Sequence, residues 1–410
     1  MKVKSSPPCE HQGPVTRIFS AKSGASVQRN HPAEEHQSPR LLENLFVLEM
    51  ANNHWGDLNR GLNIVRQFSE VARANEVKVA IKIQLREVDS FIHRDYRNLG
   101  SGRKIAELSG RERYVQKTRR TQLNVDEIRV LVRAIEDHGC IPLATTFDER
   151  SIDLLVDLGM PAIKLASSDL TDWGLLEHCA ATRKPMLVST GGHNLNEVVE
   201  VVDFLKTKDV HVAVNHCVSN YPTEDRDLQL DQIDVLKRKL PGVVVGLSTH
   251  EYIDWERSML ISYAKGARTW ERHIDIPYPK GHEQAKVSPY CSLPHQIDVW
   301  FKAFHKAREM CGEVKAEGRK IGKQEVDYLT ALKRGAYFAR DVQKGEVLTA
   351  ADFCFAIPLH HELNQLTSGE AHKTIWCAAQ DCAKNAPATS NNLGQTELGL
   401  DLAVRNKEIG

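Results

Sequence analysis

CIPLATTFDERSIDLLVDLGMPAIKLASSDLTDWGLLEHCAATRKPMLVSTGG (residues 140–192) holds three short apolar runs, CIPLAT (140–145), AIKLA (162–166) and PMLVS (185–189), with amphipathic helical stretches between them. Each run ends in small polar residues: Thr145-Thr146, Ser167-Ser168 and Ser189-Thr190-Gly191-Gly192. The same alternation extends both ways. Upstream lie LFVLEM (45–50) and VAIKIQ (79–84); downstream lie HVAVNH (211–216), VVVGLS (243–248) and TWERHI (269–274). The stretch Asn124 to His138 places Ile128, Leu131, Val132 and Ile135 on one helical face, opens with a capping-box pair, Asn124 and Glu127, and stops at Gly139. Asn194 to Lys206 carries Val198, Val199, Val202 and Leu205 in the same way. Eight strand-like runs alternating with helices predict an α/β chain with a (β/α)8 barrel, a doubly wound open sheet being the alternative.

This places a barrel domain at 41–311. Residues 1–40 contain few large apolar side chains and are expected to be disordered. Residues 312–330 are charged and read as a helical linker. YFARDVQKGEVLTAADF (337–353) alternates around Lys344-Gly345-Glu346, a turn signal, and opens a small β-rich domain at 331–390. Residues 391–410 form a polar tail. The one long connection, Leu85 to Leu123, carries the basic run RERYVQKTRR (111–120), read either as a solvated surface helix or as a site for a second phosphate.

Composition narrows the function. Of 410 residues, 54 are Lys or Arg and 54 are Asp or Glu, so no net charge draws the chain to nucleic acid or an anionic membrane. No apolar run reaches the ~18 residues of a membrane helix, and the N-terminal region lacks an apolar signal core. Nine scattered cysteines without a CxxC pair read as reduced thiols. The expected location is cytoplasmic.

In such a barrel the reactive groups gather at the carboxyl ends of the strands. Those ends here supply Glu49 with Asn52-Asn53-His54, Lys82 with Gln84, Thr145, Lys164 with Ser167 and Ser168, Ser189, His216 followed by Ser219 and Tyr221, Ser248 with His250, and Glu271 with His273. Singly, a hydroxyl is most often a cap and a histidine a satisfied structural group. Jointly, two lysines, several hydroxyls and a Gly-Gly turn suit a phosphorylated anion; the competing reading is that Lys82 and Lys164 pair with Glu49 or Asp169. His250 and His273 end neighbouring strands and can share one divalent cation. His216-Cys217 is a softer ligand pair by type, although Cys217 is expected to pack.

Read as strings, these residues resemble the N-acetylneuraminate (sialic acid) synthase family. The ordered matches are EMANNHWGD (49–57), AIKIQ (80–84), ATTFDERSIDLL (144–155), IKLASSDLTDWGLLE (163–177), KPMLVSTGG (184–192), HCVSNYPT (216–223), GLSTHE (246–251) and ERHID (271–275). ARDVQKGEVLTAADF (339–353) resembles the start of that family's antifreeze-like (SAF-type) cap domain.

The resemblance implies a synthase that condenses phosphoenolpyruvate with an N-acetylmannosamine-like or related aldose to a 2-keto-3-deoxy sugar acid. It also implies roles. Lys82, Thr145, Lys164, Ser167, Ser189 and Ser248 would hold phosphoenolpyruvate, while Glu49, Gln84, Asp169, Ser219 and Tyr221 would lie near the acceptor. His250 and His273 would bind Mn or Mg, and Glu49, Glu271, Lys82 and Lys164 would be catalytic. A homodimer is implied, in which the cap closes over the partner's barrel. Departures from the family pattern gather at the sugar end. YPKGHEQAKVSPY (278–290) lacks the family's Pro-Gly-Pro-Asp, with Glu283 as the nearest acid; Ser168-Asp169 replaces Gly-Glu; Thr249 replaces an Asp; and Ala356-Ile357-Pro358-Leu359 lacks the cap arginine. Two other functions compatible with these residues are condensation with a phosphorylated aldose and non-catalytic sensing of a sugar phosphate.

Overall fold

Parallel strands close on one another in a computed structural model of the chain, which describes residues 39–282, 284, 286–313 and 318–395. The disorder expected for 1–40 falls, up to residue 38, outside the described residues, as do Glu283 and the tail from 396. The described residues separate into two compact units, one ending at Gly312 and one beginning at Glu313.

The first unit is a (β/α)8 TIM barrel. Its strands are β1 (Leu45–Ala51), β2 (Val79–Leu85), β3 (Ile141–Thr146), β4 (Ile163–Leu165), β5 (Met186–Ser189), β6 (Val212–Cys217), β7 (Val244–Thr249) and β8 (Thr269–Ile274). Each pairs in parallel with the next, and β8 returns to β1 with His273 opposite Glu49. The open-sheet alternative is thereby excluded. A two-residue strand, β9 (Cys291–Ser292), adds to β8 opposite His273 and Ile274.

The alternation of side chains explains why the barrel forms and where it opens. Phe46, Leu48 and Met50 of β1 pack outward with Ile81, Ile83, Ile163, Val188, Val214, Leu247 and Trp270 against the helices. The inward set at the amino end is also apolar: Leu45, Val47, Ala80, Leu143, Leu187 and Ala213 pack together with Leu41 and Leu42 from the short turn Pro39–Leu42. That turn seals the floor. Higher in the barrel the inward set changes to Glu49, Lys82, Thr145, Lys164, Ser189 and Glu271, all buried, so the polar layer opens toward the carboxyl ends alone.

The helices form where the sequence places them. Asn124 caps Val125–Asp137 and Asn194 caps Leu195–Thr207, each through a complete capping box. Gly139 follows with φ of 79°, a left-handed geometry that suits glycine. Between β2 and the helix 125–137, the long connection folds into Val88–Phe91, two short 3-10 turns and the helix Gly110–Arg120. That helix is not simply solvated, since Val115, Gln116 and Thr118 are buried.

In the second unit the linker helix predicted over 312–330 is confined, among the described residues, to Lys323–Thr330. The remainder is a small β domain of antiparallel sheets. Strand β10 (Gly335–Phe338) pairs with β12 (Phe353–Ala356), and β13 (Trp376–Ala378) lies between β11 (Val347–Leu348) and β14 (Leu393–Gln395). Phe338, Leu348, Phe353, Leu366 and Trp376 give it its own core.

Candidate active site

A cavity of about 560 Å³ occupies the barrel mouth, within the range of small-molecule sites. Its wall contains Glu49, Lys82, Gln84, Thr145, Lys164, Ser167, Ser189, Ser219, Tyr221, Ser248, His250, Glu271 and His273. Strand register brings them together: Glu49 lies opposite both Lys82 and His273, Gln84 opposite Thr145, Thr145 opposite Lys164, and Ser248 opposite Glu271. Residues remote in sequence thus share one layer because they hold equivalent positions near successive strand ends.

Both lysines are buried and hydrogen-bonded. Lys82 Nζ lies 2.6 Å from Thr145 Oγ1, 2.5 Å from Glu49 Oε2 and 3.4 Å from Glu271 Oε1. Lys164 Nζ donates to Ser189 Oγ at 2.7 Å and to the Leu165 carbonyl at 2.8 Å, with Glu271 Oε2 at 3.9 Å. The ion-pair reading therefore holds for Lys82 and Glu49. Lys164 turns to Ser189 rather than to Asp169. Burial alone lowers a lysine pKa, and it does so at Lys164; at Lys82 that effect is overcome by Glu271 and Glu49, and the ammonium is held above its ordinary range. The two carboxylates move apart. Burial and the repulsion of Glu271 raise Glu49 against the pull of Lys82, whereas Glu271, resisting its own burial, is lowered by Lys164 and Lys82.

Across the mouth, the His250 and His273 ring centroids are 5.3 Å apart. Burial pushes His250 down to about 4 and His273 well below its usual value, so both imidazoles are neutral, the form that binds a cation. His250 Nδ1 lies 3.0 Å from the Val218 carbonyl and donates to it, which leaves Nε2 with a lone pair. Tyr221 covers His250 with ring centroids 4.0 Å apart. Behind the pair, Arg272 and Glu251 form a buried ion pair. Arg272 Nη2 also donates to the Glu251 backbone carbonyl at 2.7 Å, and Thr249 and Ser258 donate to the Glu251 carboxylate. As neighbours of His273 and His250 in the chain, Arg272 and Glu251 brace the two strand ends.

Other positions depart from expectation. Asp169 is not among the lining residues. It stands behind Ser168, whose hydroxyl donates to it at 2.9 Å, and burial pushes its pKa up to about 6. It closes the 3-10 turn Ser167–Asp169. His216 faces outward onto the Leu228 carbonyl at 2.7 Å, so it is no ligand of the cavity; its neighbours Asn215 and Cys217 alternate inward above Ala213. Sequence reading missed Arg86, Phe147 and Tyr114, which also line the cavity. Strict alternation along β6 places Asn215 inward. Nothing in the sequence marks Arg86.

Among the described residues, no helix is long and apolar enough to cross a membrane.

Comparison with known proteins agrees with this geometry. The model of the NeuB family matches residues 70–316. A solved structure of spore coat polysaccharide biosynthesis protein E from Chromobacterium violaceum is 32% identical, with a TM-score of 0.78 over 86% of this chain and 100% of that one. The N,N'-diacetyllegionaminic acid synthase of Legionella pneumophila is 24% identical over 76% of this chain and 85% of its own length. The N-acetylneuraminate-9-phosphate synthase of Drosophila melanogaster is 36% identical over 32% of this chain and 36% of its own. The chain belongs to the NeuB family, and with it to the enzymes that form a C–C bond from phosphoenolpyruvate.

Proposed function

We propose that this enzyme condenses phosphoenolpyruvate with an aldose, N-acetylmannosamine-like or related, and water, giving a 2-keto-3-deoxy sugar acid of the nonulosonate type and phosphate. The observation that carries the reading is the joining, in one barrel mouth, of two buried lysines with hydroxyl partners to two adjacent histidines, His250 buried and His273 half-buried.

In this reading the phosphate and carboxylate of phosphoenolpyruvate sit against Lys82 and Lys164, with Thr145, Ser167, Ser189 and Ser248 as further donors. C3 bonds to the aldehyde carbon, the oxygen of water becomes the keto oxygen, and the bridging oxygen leaves with phosphate. The lysines stabilise the charge that collects on the departing phosphate from fixed positions. Glu49 or Glu271 takes the proton of the water that adds at C2. Gln84, Ser219 and Tyr221 orient the acceptor. A divalent cation, Mn or Mg, would supply Lewis-acid polarisation of the aldehyde oxygen. His250 and His273 fit such an ion, being neutral and adjacent. Among the described residues no group of three or more His, Cys, Asp or Glu is placed to hold a metal ion, so the two imidazoles would leave the ion's other positions to water and substrate. A cytoplasmic homodimer belongs to the same reading, supported by the resemblance of 339–353 to the family's cap.

Phosphate release from phosphoenolpyruvate should require both an aldose and Mn or Mg. Release that persists in chelator, or that needs no aldose, would remove this reading.

A further inference from the structure

Arg86 is the cation in the cavity wall whose charge is not met. Lys82 is matched by Glu49 and Glu271, and Lys164 approaches Glu271. Arg86 is half-buried, yet it makes no ion pair among the described residues; Glu49 and Asp169 act on it only from a distance. Its Nη1 donates to Gln84 Oε1 at 2.8 Å, its guanidinium carbon lies 6.0 Å from the centre of the Tyr114 ring, and its Nε is buried without a hydrogen-bond partner. The guanidinium carbon lies 3.6 Å from the centre of the Phe147 ring and 5.6 Å from that of Phe91, so aromatic faces hold the group and shield it partly from water. A half-buried, unpaired guanidinium with an idle donor favours an anion, which its planar fork grips through paired hydrogen bonds.

Its place gives the direction of the ligand. Arg86 follows β2 by one residue and lies four residues beyond Lys82, roughly 13 Å along the strand direction. From the histidine pair a row of polar side chains leads to it. His273 lies beside Glu49, Glu49 Oε1 accepts from Gln84 Nε2 at 2.8 Å, and Gln84 accepts from Arg86. The row starts where an aldehyde oxygen would sit and ends at Arg86. The basic helix Gly110–Arg120 contributes Tyr114 to the wall, while its Arg111 and Arg119 are exposed.

We propose that Arg86 is a specificity-determining residue, binding an anionic group, phosphate or carboxylate, at the end of the acceptor sugar remote from its aldehyde. This rests on the reading of the mouth as a phosphoenolpyruvate–aldose site and narrows the acceptor to an acidic aldose.

The test measures Mn-dependent phosphate release by the full chain from phosphoenolpyruvate. The acceptors are matched aldoses: neutral, phosphorylated at the terminal carbon, and oxidised there to a carboxylate. The parent enzyme should prefer one of the two acidic acceptors, and which one it prefers identifies the anion. Arg86→Gln should lower kcat/KM for that acceptor roughly 100-fold and for the neutral aldose far less, while Arg86→Lys, which keeps the charge but not the fork, falls between. Calorimetric binding of phosphoenolpyruvate alone should stay near the parent value in both variants, which also reports an intact fold. A neutral aldose used as well as the acidic ones, an equal loss on all acceptors, or a collapse of phosphoenolpyruvate binding in Arg86→Lys would overturn the proposal alone. No release with any aldose would remove both the proposal and the reading beneath it.

Discussion

Lys82 and Lys164 look equivalent in sequence, but their surroundings predict different failures. Lys82→Ala strands Glu49 and Glu271 in the barrel without their shared cation, so it should destabilise the fold by about 3–5 kcal/mol as well as disabling turnover. Lys164 is held mainly by Ser189 and a carbonyl, with Glu271 at 3.9 Å; its alanine variant should cost less stability than Lys82→Ala and lose roughly 2–5 kcal/mol of transition-state binding. Denaturant titrations beside phosphate-release kinetics separate the two, and unchanged kinetics in both variants would make the lysines structural. His250→Ala and His273→Ala should each abolish release and weaken Mn binding, read by calorimetry or by the spectrum of the free ion. Arg272→Met should do so indirectly. It leaves Glu251 buried and unpaired, costs about 3–5 kcal/mol, and loosens the imidazole pair; adding Glu251→Gln should restore much of the stability. Normal Mn affinity in a folded Arg272→Met protein would show that the ion pair braces the barrel without positioning the histidines.

At the level of strands and turns, Gly191 at the end of β5 faces the side chains of Ser219 and Ser167 so closely that a Cβ would collide with their hydroxyl oxygens. Gly191→Ala should displace those hydroxyls and lower kcat/KM while the fold stays intact. Gly246 differs, because a Cβ there meets the Thr269 backbone carbonyl of β8. Gly246→Ala should therefore destabilise the barrel by about 1–3 kcal/mol or more. The reverse pattern, with Gly191→Ala unfolding and Gly246→Ala impaired only in turnover, would contradict this placement. The strands were legible because each inward row runs from apolar to polar along its length, and the capped helices because their box residues stand at fixed offsets. Most of the wall was legible for the same reason, since strand ends are found once the strands are. Arg86 was not, because what turns it inward is Phe147 beyond β3 and Tyr114 on a helix in the long connection. Asp169 stands in a 3-10 turn, invisible in hydrophobic period, where its carboxylate accepts from Ser168. The linker was over-read because exposed charge fits helix and irregular chain equally well.

For the whole molecule, the two units have separate cores, and every residue assigned to phosphoenolpyruvate lies in the barrel unit. The central claim is that this unit cleaves the C–O bond of phosphoenolpyruvate as it joins C3 to an aldehyde. The direct measurement incubates the full chain with Mn, an aldose that supports turnover, and phosphoenolpyruvate bearing heavy oxygen at the bridging position, then weighs both products. The account predicts a 2-keto acid and phosphate in equal amounts, with the heavy oxygen in the phosphate. Heavy oxygen retained in the keto acid, or phosphate released with no new C–C bond, would contradict it.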